Sequence, residues 1–104
     1  MLYSTFPNRA EALSAARALV ETRLAACANL IDWVTSVYEW QGALQQEQEV
    51  LMLAKTDAAC VQAAIAKIKS LHSYELPAIT AWNIKDGHPE FLRWIVRQTS
   101  EKPA

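Results

Sequence analysis

Ile31-Asp32-Trp33-Val34-Thr35-Ser36-Val37-Tyr38-Glu39-Trp40-Gln41-Gly42 is the stretch that decides the fold of this 104-residue chain. β-Branched and aromatic residues crowd it, the types that fit a pleated, half-buried surface, and Gln41-Gly42 closes it with a turn. A long strand from Ala28 to Trp40 therefore predicts an antiparallel return. Leu44 to Lys55 supplies that return, polar around Gln45 to Glu49 and continuously apolar from Val50 to Ala54. The apolar half is expected to be central in a sheet and the polar half to protrude.

Before the hairpin, a short apolar opening reads as a strand that Pro7-Asn8 ends. Asn8 and Glu11 have the N-cap and N3 spacing of a capping box, which predicts a helix from about Arg9 to Arg23. Leu13, Ala16, Val20 and Leu24 mark its apolar side, and Glu11, Arg17 and Glu21 its wet side. After the hairpin, Thr56 or Asp57 can cap a second helix with Val61, Ala64, Ile65, Ile68 and Leu71 on one face. Lys67, Lys69 and His72 near its end complement the helix dipole. Pro77 introduces a strand through Ile84, Asp86-Gly87 turns the chain, and His88-Pro89-Glu90 opens a last helix carrying Phe91, Leu92, Trp94 and Ile95. His88 suits its N-cap, because a residue before proline avoids the α region. Glu101 to Ala104 reads as a frayed end. The order strand, helix, strand, strand, helix, strand, helix is that of an α+β split β-α-β sandwich, in one domain spanning residues 1–104.

Composition narrows the function. Apolar residues make up 52% and charged residues 20%, the balance of a folded soluble domain, and the formal net charge of -1 leaves no basic stripe. That argues against nucleic acid as a partner; the element order also serves RNA-recognition domains, but their basic-aromatic strand motif is missing. No apolar run approaches the roughly 18–20 residues a bilayer span needs, so no membrane role is expected. The opening residues lack the pattern of a signal peptide, and the expected compartment is the cytoplasm. Cys27 and Cys60 form no CxxC pair and read as two reduced thiols. With no Gly-x-Ser-x-Gly, no His-Glu-x-x-His and only two glycines, no catalytic constellation suggests an enzyme.

Chemistry concentrates at His72-Ser73-Tyr74-Glu75-Leu76-Pro77, where helix hands over to strand. His72 reads either as a transition-metal ligand or as a helix C-cap. Glu75 either neutralises a cation and orients His72, or pairs with a lysine such as Lys55. Tyr74 is either a ligand contact or a packed ring with a bonded hydroxyl. Cys27 is a soft donor suited to Cu(I) or a small packed group among alanines. Tyr38 and Trp40 either pack across strands or line a cleft, and Lys55 either snorkels to solvent or faces the His72 junction. Cys60 reads as packing.

Four blocks resemble the CutA-type divalent-cation tolerance proteins. They are Leu24-Ala25-Ala26-Cys27-Ala28-Asn29; Ser36, Tyr38, Trp40 and Gly42 at alternate positions; Glu49 through Thr56; and His72, Tyr74, Glu75 and Pro77. Gly87 and Trp94 stand where that family places a glycine and a last-helix tryptophan. The resemblance covers nearly the whole chain and implies a ferredoxin-like fold with a long protruding hairpin and an extra C-terminal helix, assembled as a homotrimer. It further implies binding of, or response to, a divalent metal, copper above all, with His72, Glu75 and Cys27 as candidate metal residues. The likeness of that architecture to PII signalling proteins implies a second possibility. In it, Lys55, Tyr74, Tyr38 and Trp40 read a small organic ligand or partner protein between subunits. Two positions depart from the family pattern. Ser73 stands where a proline is usual, which predicts a less rigid junction, and Ser4 stands where some members carry cysteine.

Overall fold

The computed structural model describes residues 1–100, so the expected fraying of Glu101 to Ala104 lies outside the described residues. Pro7 and Asn8 end β1 (Leu2–Phe6) and open α1 (Arg9–Glu21), with Asn8 Oδ1 accepting the Glu11 N–H at 2.8 Å. The helix stops where Arg23 takes the left-handed conformation at φ 59°, letting the Leu24 and Ala25 N–H groups both bond the Leu19 carbonyl. β2 (Cys27–Trp40) and β3 (Ala43–Lys55) form the long hairpin. Gln41 and Gly42 at φ 51° and 81° make the two-residue turn whose twist matches the strands. One turn of 3₁₀ helix (Ala58–Cys60) leads into α2 (Val61–Leu71), followed by β4 (Ile79–Ala81) and α3 (Pro89–Gln98). His88 Nδ1 accepts the Phe91 N–H at 3.3 Å, the predicted cap of α3.

The four strands make one antiparallel sheet in the order β2-β3-β1-β4, the split β-α-β arrangement. The apolar half of β3 pairs with both β1 and β2, and its polar half pairs with β2 alone. Directly opposed residues share a face, so Leu2, Ser4 and Phe6 lie with Ala54, Met52 and Val50 on the core side. Leu2, Phe6, Leu19, Met52 and Ile68 are fully buried there, each contributing roughly 1.5–3 kcal/mol. Tyr3, Thr5, Ile31, Leu51, Leu53 and Lys55 occupy the opposite face.

Three expectations need correction. The buried side of α1 is Ala12, Ala15, Ala16 and Leu19, whereas Leu13 and Val20 are 43% and 42% exposed. Small alanines let the helix backbone approach the sheet closely, and that outweighs turning the larger side chains inward. β4 is three residues long and does not reach Ile84. Beyond Ala81, Trp82 still exchanges backbone bonds with Met1 (2.9 and 2.8 Å), and the strand ends there. Asp57 precedes the 3₁₀ turn without a side-chain cap bond, so α2 starts later than a cap at Thr56 or Asp57 implies.

A bulge interrupts β2. Ile31 opposes Leu51 and Val34 opposes Glu49, so three steps on β2 match two on β3. Trp33 takes φ 63° there, and Arg9 pairs with Asp32 at 2.9 Å. The extra residue reverses the alternation, turning Val34, Ser36, Tyr38 and Trp40 toward the face that carries Tyr3 and Thr5. Among the described residues no helix is long and apolar enough to cross a membrane.

Candidate functional site

His72 follows α2 in an extended conformation, φ -85° and ψ 138°, and its side chain is completely buried. Its ring stacks on Phe6 with centroids 4.5 Å apart and lies 4.8 Å from the Tyr74 ring. Nδ1 accepts the Tyr74 N–H at 3.1 Å, which leaves Nε2–H to donate to the Thr5 carbonyl at 2.7 Å. That pairing assigns the neutral Nε2–H tautomer. His72 occupies the C-cap position, but its ring ties the loop to β1 rather than serving the helix carbonyls.

Glu11 completes this junction, and the sequence reading missed it. Its carboxylate accepts the Ser73 N–H at 2.6 Å and the Ser73 hydroxyl at 2.9 Å, and lies 3.8 Å from His72 Nδ1. The side chain is 18% exposed, so it is not on a wet face. The sequence marks it only as the N3 residue of a helix start on the wet side of α1, and no local signal reveals a partner 62 residues away. The restraint that Ser73 was expected to lose with proline is supplied by these two bonds.

Tyr74 carries the junction to the hairpin. Its hydroxyl donates to Glu49 Oε2 at 2.8 Å, and Glu49 is only 5% exposed. Burial pushes the Tyr74 phenol well above its ordinary range, with the Glu49 hydrogen bond and the Glu49 and Glu47 charges adding to the shift. The Tyr38 phenol is also raised, by desolvation first and then by Glu47 and Glu49. A cleft of about 670 Å³ opens between hairpin and junction, and Tyr38, Trp40, Glu49, Tyr74 and Glu75 are among its lining residues. Without the bulge at Trp33, Tyr38 and Trp40 would point to the other face.

The candidates therefore divide. Tyr38, Trp40, Tyr74 and Glu75 come together, and His72 stands behind them in the core. Lys55 does not line the cleft, and its Nζ donates to Asn29 Oδ1 at 2.6 Å. Cys27 opposes Lys55 in the sheet register, six residues along β3 from Glu49, or about 20 Å. Cys60 Sγ lies 3.7 Å from the Thr99 carbonyl, a packing position. Among the described residues no three His, Cys, Asp or Glu side chains converge as a metal centre. Glu49 went unmarked as a site residue because it ends a polar run that reads as solvent-facing, whereas in the fold it is buried and bonded to Tyr74.

Similarity to known proteins agrees with this frame. The family model described as CutA1 divalent ion tolerance protein matches residues 1–98. Protein CutA of Mus musculus is 42% identical over 97 residues, 93% of this chain and 55% of that protein. The divalent-cation tolerance protein CutA of Thermus thermophilus is 41% identical over 95 residues, 91% of this chain and 92% of its own length. The chain thus spans about half the length of the mouse relative and nearly all of the bacterial one. Among solved structures, CutA from Xylella fastidiosa superposes with a TM-score of 0.93 at 39% identity, covering 95% of both chains. With the sheet order, the hairpin and the junction in place, this chain belongs to the CutA1 divalent ion tolerance protein family.

Proposed function

We propose that this protein is a cytoplasmic homotrimer that binds divalent cations at the cleft between hairpin and junction. The observation that carries the reading is Glu49, a nearly buried carboxylate in the cleft wall whose side-chain hydrogen-bond partner is the neutral Tyr74 hydroxyl. A buried charge is stabilised by an opposite one, and a cation beside Glu49 and Glu75 would supply it. Carboxylate and phenol oxygens suit hard divalent ions, and Cu(II), the metal the family resemblance favours, also accepts oxygen donors. The softer candidates take no part here: both His72 ring nitrogens are engaged, and Cys27 stands apart.

Assembly is supported by surfaces that suit a second and third copy. β2 is a 14-residue edge strand, and Trp33, Val37 and Leu44 on the hairpin are 76%, 61% and 77% exposed. Unpaired edges and apolar patches of this kind are normally covered by association. The two free thiols fit a reducing compartment. Light scattering should give about three times the chain mass of 11.6 kDa, and a monomer at working concentration refutes the trimer. Calorimetric titration with Cu(II), Zn(II) and Mn(II) should show saturable uptake that Glu49→Gln weakens. Absence of uptake, or uptake indifferent to that substitution, refutes the metal reading.

A second reading, a PII-like sensor or adaptor, is favoured by the size and aromatic lining of the cleft. Its volume falls within the roughly 300–1,000 Å³ typical of small-molecule sites, and Tyr38, Trp40 and Tyr74 line it. Thermal-shift screening of metabolites against metals separates the two readings, because shifts confined to metals count against this one.

A further inference from the structure

We infer that the cleft is a binding site for a small organic ammonium ion, a protonated aliphatic amine. This deepens the ligand-sensing reading above and rests on it. The lining residues include Glu39, Glu49 and Glu75 and not one Lys, Arg or His. Glu49, 5% exposed, accepts from the neutral Tyr74 hydroxyl, and among the described residues no basic side chain pairs with it. The Lys55 ammonium on the same strand is held by Asn29 at the far end. The position next to Glu49 is therefore built for a positive charge that the described residues of the chain do not supply.

The remaining walls select the kind of cation. Tyr38, Trp40 and Tyr74 present aromatic surface to the cleft, and ring faces attract ammonium groups while also packing against their carbons. The 670 Å³ of the cleft leaves room beside the charged position for a carbon chain. An amine with several carbons fills both the charged and the apolar parts. The Tyr74 hydroxyl is turned to Glu49, which fixes the carboxylate and leaves its other oxygen for the ligand N–H.

The test is calorimetric titration of the full-length protein at neutral pH with 1,4-diaminobutane, beside 1,4-butanediol, which has the same carbon chain without charge. The diamine should bind saturably and the diol should not. Glu49→Gln removes the charge and should weaken diamine binding by about tenfold or more. Trp40→Leu should weaken it by a few-fold, and carries the comparison should Glu49→Gln not fold, as judged by circular dichroism. No saturable uptake, equal uptake of the diol, or affinity unchanged in a folded variant overturns the inference. A lysine of a neighbouring copy seated in the cleft would produce the first of these outcomes. Metal titrations on the same samples separate the two proposals. Metal uptake without amine uptake overturns this inference and leaves the metal reading standing, and amine uptake alone does the reverse.

Discussion

Ser73→Pro restores the residue usual in this family, and in this chain it should destabilise the fold. His72 is extended at ψ 138°, a conformation compatible with a following proline, so the residue before the substitution adds no steric penalty. The cost comes from Glu11. Proline has no N–H and no hydroxyl, so both Ser73 bonds to the Glu11 carboxylate, at 2.6 and 2.9 Å, are lost. A hydrogen bond to a charged group nets about 1.5–3 kcal/mol. Partial exposure of this pair puts the N–H bond near the bottom of that range and the hydroxyl bond at about 0.5–1 kcal/mol. Against this, proline restricts the unfolded chain by about 0.4–1 kcal/mol. The net expectation is a loss of about 1–2 kcal/mol, and a Tm lower by about 4–8 °C per kcal/mol for a domain of this size. Urea and thermal unfolding at fixed chain concentration would measure it, since assembly would make both midpoints concentration-dependent. Ser73→Ala, which keeps the N–H, should cost only about 0.5–1 kcal/mol. In a Glu11→Ala background Ser73→Pro should become stabilising, because only the unfolded-state effect remains. A rise in stability on Ser73→Pro with Glu11 intact would refute the assignment of Glu11 as the restraint on this loop.

Two further outcomes follow from buried polar groups. Ser4 Oγ is buried without a hydrogen-bond partner, so Ser4→Ala should raise stability by about 1 kcal/mol; unchanged or lower stability would mean that the hydroxyl has a partner. Tyr74 has a folded pKa raised above its ordinary value of 10, by burial first and Glu49 second. Between those values the unfolded chain loses the proton while the folded chain keeps it. The stability this contributes is therefore full below pH 10 and declines as pH rises toward the folded pKa. Unfolding midpoints from pH 9 to 11.5 should fall less steeply in Tyr74→Phe, and identical slopes in the two proteins would contradict the burial.

The local chemistry of this chain settled its elements. The run from Ile31 to Gly42, the Asn8 and His88 caps, and the apolar and polar halves of β3 specify strands, turn and helix starts through interactions among near neighbours, and their order specifies the split β-α-β sheet. The family motifs marked Tyr38, Trp40, Tyr74 and Glu75 as candidates, but did not show that they share a wall. Packing over long separations decided the rest. The bulge at Trp33 reverses side-chain alternation by a single inserted residue, a geometry that depends on the β3 partner and leaves no mark in the β2 pattern. Glu11 and Ser73 meet across 62 residues, Glu49 and Tyr74 across 25, and the face of α1 with Ala12, Ala15, Ala16 and Leu19, not the one with Leu13 and Val20, is buried. Which carboxylate becomes buried, and which imidazole has no nitrogen left for a metal, depend on where distant segments cross, and only the tertiary structure holds that information.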